Sequence, residues 1–153
     1  MMKDKYFNII MLIERLHRLF LDVVKTELDR HNILDINNIQ CLILYNVGHN
    51  RLSIGEISNR GYYLGSNVTY NLKKMIENGY LDQESSEHDR RSSYVKLSKK
   101  GSNLYSILEQ MFDKHVANLE HNNLKTEDLK KFYSTMEQLE SFWAFMVARD
   151  MRL

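Results

Sequence analysis

Polar side chains between residues 66 and 78 form a group that could bind nucleic acid. Hydrophobic residues recur among them at helical spacing, which predicts a helix with a polar outer face. That face carries hydroxyls, amides, one phenol and two ammonium groups, and no acid precedes Glu77. Such groups hydrogen-bond base edges and neutralise phosphates, although a polar face can also be merely solvated. The predicted DNA contacts are Ser66, Asn67, Thr69, Tyr70, Asn71, Lys73 and Lys74.

A second charged group follows in a predicted β-hairpin. Residues 80–85 and 93–97 read as strands, and a polar segment with two arginines joins them. A long, permanently charged arginine can enter the narrow minor groove, and we expect Asp89 to hold Arg91 extended for that contact. The alternative is a charged hairpin tip with a surface ion pair. The predicted contacts are Asp89, Arg90, Arg91, Ser92 and Lys96, with Lys99 and Lys100 placed to meet phosphates.

Short helices with recognisable ends should position these groups. Residues 36–47 predict a helix that ends near Gly48, and Ser53 with Glu56 forms a capping box that opens a helix over about 54–60. Ser66 can cap the polar helix, and Gly79 can end it in a left-handed conformation. Two short helices, a glycine-containing turn and a following hairpin predict a winged helix-turn-helix.

The flanking segments predict long helices. The chain has no proline, and all six glycines fall between residues 48 and 101. Apolar residues recur at three- and four-residue steps over about 4–30, over 105–119 and over 129–146, where Thr126 is the predicted N-cap. These stripes favour a homodimer over a self-contained helical bundle. The predicted fold is mainly α with a small β-hairpin wing: 1–34 and 102–153 form a dimerisation region, and 35–101 binds DNA.

Composition narrows the class of protein. The chain has 153 residues and a net charge of +1, but residues 51–101 hold nine Lys/Arg against six Asp/Glu, a balance of +3. No segment resembles a signal peptide or a membrane span, so we expect a cytoplasmic, nucleoid-associated protein. No grouping of residues suggests a catalytic site, a metal site or a cofactor site, so an enzyme is not expected. The single cysteine, Cys41, is expected to be buried and inert.

A resemblance to a known family begins at Gly79-Tyr80-Leu81. It continues through Asp89-Arg90-Arg91 at the hairpin tip to Val95-Lys96-Leu97-Ser98-Lys99-Lys100-Gly101. This pattern resembles the signature of the MarR family of bacterial regulators, with Ser98 in place of the usual threonine. The segment 60–72 is similar to an alphaproteobacterial branch that includes regulators of L,D-transpeptidase genes.

The resemblance implies a homodimer that binds double-stranded DNA at a pseudo-palindromic operator. It also implies that a small aromatic or phenolic effector modulates DNA affinity from a crevice beside the DNA-binding lobe. The residues that could line this crevice, although packing explains them equally well, are Arg15, Phe20, Tyr45, Tyr62 and Tyr63. The alternative function is a helical protein-interaction module whose winged helix binds a protein partner.

Overall fold

The chain folds into six helices and a small sheet within the part described by a computed structural model, residues 1–61, 67–85 and 93–150. The elements in chain order are α1 (Met2–Arg30), α2 (Asn38–Val47), β1 (Leu52–Ser53), α3 (Ile54–Gly61), α4 (Val68–Glu77), β2 (Leu81–Ser85), β3 (Ser93–Leu97), α5 (Lys99–His121) and α6 (Thr126–Asp150). The predicted fold class, mainly helical with a β-hairpin wing, is confirmed.

The sheet is antiparallel with the strand order β1-β3-β2. Leu81 lies opposite Leu97 and Ser85 opposite Ser93, as expected for a hairpin of two five-residue strands. β1 was not predicted, because its two residues are too few to show an alternating pattern. It pairs Leu52 with Val95 and makes β3 the central strand.

The chain separates into two compact units, Met1–Glu109 and Gln110–Leu153. The first unit contains α1 to α4, the sheet and the start of α5. Its core is apolar, and each of its helices and strands contributes to it through side chains that are at most 6% exposed. The most central of these are Val24, Leu28, Ile43, Leu44, Val47, Ile57, Leu72, Met75, Leu81 and Val95. The functional division of the chain predicted at residues 34 and 101 stays a prediction.

The helix ends in the first unit follow from local hydrogen bonds. The Glu56 amide donates to Ser53 Oγ at 3.1 Å and the Ser53 amide donates to Glu56 Oε2 at 3.0 Å, which confirms the predicted capping box. Helix α4 ends in a Schellman motif, in which the Gly79 and Tyr80 amides donate to the carbonyls of Ile76 and Met75. Gly79 has φ +81°, the left-handed conformation that was predicted for it.

Gly101 is required for a different reason. A Cβ atom built on Gly101 would lie 2.1 Å from the backbone oxygen of Tyr80. Ser98 fixes this close approach, because its amide donates to the Tyr80 oxygen at 3.1 Å and its Oγ accepts from the Gly101 amide at 3.0 Å. The first turn of α5 is therefore held against the residue that opens the hairpin.

Three predicted helix starts need correction. α4 begins at Val68 and not at residue 66, and Asn67 occupies its N-cap position. α2 begins at Asn38, so Ile36 precedes the helix although its side chain is buried. Thr126 is the first residue of α6 and not its N-cap; the amide of Lys125 before it donates to Asp128 Oδ2 at 3.0 Å.

The second unit contains the rest of α5 and all of α6, and a tight turn joins the two helices. α5 ends at His121, and Asn123 takes φ +63° in the turn. The amide of Leu124 donates to the carbonyl of Leu119 at 3.0 Å, which closes the end of α5. Within the described residues, no helix is both long and apolar enough to cross a bilayer.

Candidate nucleic-acid interface

Helix α4 buries one stripe and presents a polar face, as its periodicity predicted. Val68, Leu72 and Met75 are at most 1% exposed, and Ile76 is half-buried. The opposite face exposes Asn67, Thr69, Tyr70 and Lys73, with Tyr70 60% exposed. This orientation is confirmed; the DNA contacts of these residues stay a prediction.

Two predicted contacts on α4 already have protein partners. Asn71 is half-buried, and its Oδ1 accepts a hydrogen bond from Gln40 Nε2 on α2 at 3.1 Å. Lys74 is also half-buried and forms an ion pair with Glu77 at 3.4 Å, one turn further along the helix. Both side chains lie at the edges of the polar face, where the protein and a ligand can compete for them.

A charged cluster on the strands of the hairpin was not predicted as a unit. Glu84 on β2 accepts from Arg51 Nε and forms an ion pair with Lys96 Nζ on β3, both at 2.7 Å. The Arg51 guanidinium lies 4.0 Å from the ring centroid of Tyr94. Sequence reasoning found Lys96 but missed Arg51 and Glu84, because Arg51 joins the cluster only through the unpredicted strand β1.

The electrostatics of this cluster follow from its geometry. Hydrogen bonds from Lys96 and then Arg51 hold the pKa of Glu84 below its ordinary value. The same contact raises the pKa of Lys96. One carboxylate, Glu84, thus faces two cations, and Asp82, opposite Lys96 in the sheet, acts on the same ammonium group.

Several predicted contacts fall outside the described residues. These are Ser66 before α4, the hairpin-tip residues Asp89, Arg90, Arg91 and Ser92, and the effector candidates Tyr62 and Tyr63. Their predicted roles stay predictions.

Lys100 has a structural role in the free protein, and its predicted phosphate contact stays a prediction. Its ammonium forms an ion pair with Asp35 and donates to the Asn78 carbonyl at 2.8 Å. The Tyr80 hydroxyl also donates to Asp35, and Asn78 Nδ2 donates to the Asp35 carbonyl at 2.9 Å. This polar cluster ties the segment before α2 to the end of α4 and the start of α5. Lys99 remains exposed.

The remaining effector candidates lie on two helices. Arg15 is exposed and Phe20 is half-buried on α1, whereas Tyr45 lies on α2. Tyr45 stacks on Tyr105 of α5 with ring centroids 4.9 Å apart.

The hydroxyl of Tyr45 is hydrogen-bonded to a carboxylate. It donates to Glu109 Oε1 at 2.5 Å, and this bond, followed by burial, raises the pKa of Tyr45. A separate cleft of about 380 Å³ lies where the end of α1 meets the start of α2, and none of the described candidates, Arg15, Phe20 and Tyr45, lines it. The predicted effector crevice therefore stays a prediction.

Helix α1 exposes an apolar seam, which we define as Ile9, Leu12, Leu16, Leu19 and Val23. Each member is between 40% and 60% exposed. Their spacing alternates between three and four residues, as at the a and d positions of a coiled coil. Ile10, Ile13 and Leu28 on the same helix are half-buried or buried and do not belong to the seam. α6 also exposes large apolar side chains: Leu129, Phe132, Tyr133, Phe142, Phe145, Met146 and Val147.

Cys41 is fully buried on α2, and burial raises the pKa of its thiol to about 12. An inert thiol agrees with this environment, because the thiolate is the reactive form. Among residues 1–61, 67–85 and 93–150, no group of three or more His, Cys, Asp or Glu side chains could hold a metal ion.

Comparisons with known proteins agree with this geometry. A family model described as "MarR family" matches residues 34–92. The exopolysaccharide II synthesis transcriptional activator ExpG of Rhizobium meliloti (strain 1021) is 33% identical over 138 residues, which cover 90% of this chain and 71% of that protein.

Solved structures give the same result for the fold. Staphylococcus aureus MarR in complex with salicylate and kanamycin superposes with a TM-score of 0.73 at 27% identity, covering 94% of this chain and 93% of that one. Streptococcus pneumoniae FabT in complex with DNA superposes with a TM-score of 0.72 at 20% identity, covering 92% and 99%. The second likeness is one of fold.

Proposed function

Because this chain belongs to the MarR family of transcriptional regulators, we propose that it binds double-stranded DNA as a homodimer. The observation that carries the proposal is the face of α4, which is polar and basic and is held outward by a buried stripe. Asn67, Thr69, Tyr70 and Lys73 meet the major groove, and the hairpin that follows α4 supplies minor-groove and phosphate contacts. The FabT structure, which has the same fold, contains DNA.

The exposed apolar seam of α1 supports the homodimer. Five apolar side chains on a 3-4-3-4 spacing are costly to leave in water and suit a second helix. A second copy of the chain is the partner that also gives two α4 helices, spaced about one DNA turn or ~34 Å apart, for two half-sites. In this arrangement 1–34 and 102–153 join the protomers, and 35–101 binds DNA.

We extend the proposal to an effector. The S. aureus MarR structure contains salicylate, which supports a small aromatic or phenolic effector here. Arg15, Phe20, Tyr45, Tyr62 and Tyr63 are the proposed contacts. As a regulator related to a transcriptional activator, the protein acts in the cytoplasm on the nucleoid and without catalysis.

Selection from a random pool of DNA duplexes tests the proposal. Rounds of binding to the purified protein should enrich a pseudo-palindrome, and the affinity for that duplex should fall steeply with salt because phosphate contacts release counterions. Arg91→Ala should weaken binding at least tenfold, about the contribution of one good contact, whereas Arg149→Ala on α6 should not. If no duplex is enriched and the winged helix captures a protein partner instead, the protein is a protein-interaction module and not a DNA-binding regulator.

A further inference from the structure

We propose that Gln40 fixes the hydrogen-bonding direction of Asn71, so that Asn71 meets DNA as a donor only. This inference rests on the proposed function and names a residue that determines specificity from outside the interface. Gln40 lies on α2, is 7% exposed and does not belong to the polar face of α4.

The direction of each hydrogen bond follows from a backbone group. The Asn37 amide donates to the Gln40 side chain at 3.1 Å. A backbone N–H can only donate, so the Gln40 atom that it meets is the carbonyl oxygen Oε1. The other end of that amide is Nε2, and it therefore donates to Asn71 across 3.1 Å. The Asn71 atom that receives it must be Oδ1.

This chain of bonds is well anchored. Asn37 Oδ1 also accepts from the Gln40 amide at 2.8 Å, so the two residues close a capping box at the start of α2. Turning the Gln40 amide over would place its NH₂ group against the Asn37 N–H, and both groups donate. The buried position of Gln40 makes that mismatch costly.

Asn71 is left with two hydrogens on Nδ2. Among the described residues Nδ2 has no protein acceptor, and none of their buried side-chain polar atoms lacks a partner. The Nδ2 donors therefore face solvent at the edge of the α4 polar face.

The consequence concerns which base Asn71 can read. An asparagine usually reads adenine by donating to N7 and accepting from the N6 amino group. The Gln40 bond occupies one of the two lone pairs of Oδ1 and holds that oxygen toward buried Gln40 on α2, so we expect the second lone pair to be turned away from a base edge that meets the outer face of α4. The accepting half of the adenine pair is then lost. Guanine and thymine present only acceptors to such a donor in the major groove, adenine presents the acceptor N7 beside an N6 amino group that stays unpaired, and cytosine presents its N4 amino group and no matching acceptor. At the contacted position we expect guanine or thymine to be preferred and cytosine to be rejected.

Gln40→Glu reverses the polarity with little change in shape. One carboxylate oxygen still accepts from the Asn37 amide, but the other now faces Asn71 and can only accept. Asn71 then donates inward and turns Oδ1 toward DNA. Because burial raises the pKa of a carboxyl group, binding is measured at about pH 8.5 to keep the new carboxylate ionised.

The experiment selects binding sites from random duplexes with the wild type and with Gln40→Glu, and compares relative base preferences. The added negative charge will lower affinity for every sequence, so the ratio between bases is the readout. One position in each half-site should shift from guanine or thymine toward adenine or cytosine, by about fivefold or more, as expected for one base contact. All other positions should keep their ranking.

Asn71→Ala is the matched control. It should lose the preference at that same position, and adding Gln40→Glu to it should change no base ranking. Gln40→Met, which keeps the volume but removes both bonds, should relax the preference without reversing it. A purely structural role of Gln40 would alter affinity equally for all bases.

Either of two results would overturn the inference. One is that Gln40→Glu keeps the wild-type ranking of bases at every position, and the other is that Asn71→Ala keeps it. NMR of the side-chain amides of the wild type covers the case of variants that fail to fold. The side-chain amide hydrogens of Gln40 should exchange slowly with solvent, and those of Asn71 rapidly. Only the Asn71 resonances should shift when the selected duplex binds. The reverse pattern contradicts the inference. A wild type that enriches no duplex would instead refute the proposed function, and the inference with it.

Discussion

Glu84 restrains two cations that would otherwise be available to phosphates. Its two carboxylate oxygens each lie 2.7 Å from a nitrogen, one of Arg51 and one of Lys96. The cluster is open to solvent, so its energy in the free protein is small, and its main effect is on where the charges point.

Glu84→Gln should therefore strengthen nonspecific DNA binding. Removing one negative charge beside two cations is expected to raise affinity for a random duplex about three- to tenfold at low salt, and to steepen the salt dependence by about one counterion. Fluorescence anisotropy with a labelled duplex over a salt series measures both. Glu14→Gln on α1 makes the same charge change and serves as the control. Weaker binding with an unchanged salt slope would mean that Glu84 acts by orienting Arg51 and Lys96.

Asp35 gives the protein a pH-dependent contribution to stability. Burial acts to raise the pKa of Asp35, but hydrogen bonds from Lys100 and Tyr80 outweigh it, and the net pKa is lowered. A carboxyl group whose pKa is lower in the folded state stabilises the fold above its unfolded pKa, and this contribution is lost as the pH falls through the folded pKa.

Asp35→Asn should lower the free energy of unfolding near neutral pH by up to about 1 kcal/mol, since the pair is half exposed. In strong acid, below the folded pKa, the variant and the wild type should differ little. Urea unfolding at a series of pH values measures the difference, with Asp113→Asn on α5 as the control. A loss that persists undiminished in acid would assign the role of Asp35 to shape and not to charge.

Some side-chain roles could be predicted from the sequence and others could not. The outward face of α4 follows from its period of 3.6 residues, so Thr69, Tyr70 and Lys73 were placed correctly. Asn71 and Lys100 were given only DNA contacts because their partners are distant in sequence: Gln40 is 31 positions away and Asp35 is 65. Nothing local in the sequence marks such pairs.

The junction between the hairpin and α5 depends on one missing side chain. Any Cβ at Gly101 would overlap the Tyr80 oxygen at 2.1 Å, and the neighbouring group is backbone that cannot rotate away. The last position of the family-like pattern at 95–101 is thus explained by packing and not by DNA contact.

Gly101→Ala should lower the free energy of unfolding by about 2 kcal/mol or more, as expected for overpacking at a rigid site. Gly55→Ala is a matched control in the first turn of α3, where the new Cβ would meet only Ser53 Oγ, at 3.9 Å. That variant should be as stable as the wild type or up to about 1 kcal/mol more stable, since alanine favours a helix. Thermal and urea unfolding compare the three proteins, and equal losses in both variants would refute the packing explanation.

Helices and strands were predicted where the sequence carries a periodic pattern or a cap. The capping box at Ser53 and the glycine at 79 were placed correctly because three or four adjacent residues determine them. The start of α6 was misplaced, since Thr126 and Lys125 compete for the cap and Asp128 decides between them with a bond to the Lys125 amide. β1 exists only through its pairing with β3, which is more than 40 positions away.

In the proposed homodimer, the protomers pack against each other through the α1 seam. Its five members are apolar, exposed and aligned, so a charge among them should prevent a second helix from packing there.

Leu16→Glu should shift the protein from dimer to monomer and reduce affinity for a selected pseudo-palindrome at least tenfold, because each half-site is then bound alone. His17→Glu introduces the same charge at the next, also exposed, position but outside the seam, and should leave both properties nearly unchanged. Light scattering after size-exclusion chromatography gives the mass, and a gel-shift titration gives the affinity. A Leu16→Glu protein that remains a dimer would place the interface elsewhere on the chain.

Pairing of protomers through the α1 seam, as proposed, would make promoter occupancy depend steeply on the concentration of the regulator. When only the dimer binds DNA and the protomers associate weakly, the dimer concentration follows mass action. It then rises more steeply than in proportion to the total protein concentration. Halving the expression of such a gene would more than halve promoter occupancy, and a modest increase would saturate it. In the proposed dimer, a seam of only five side chains, spanning about 21 Å of helix, would thus give the cell a threshold in regulator concentration.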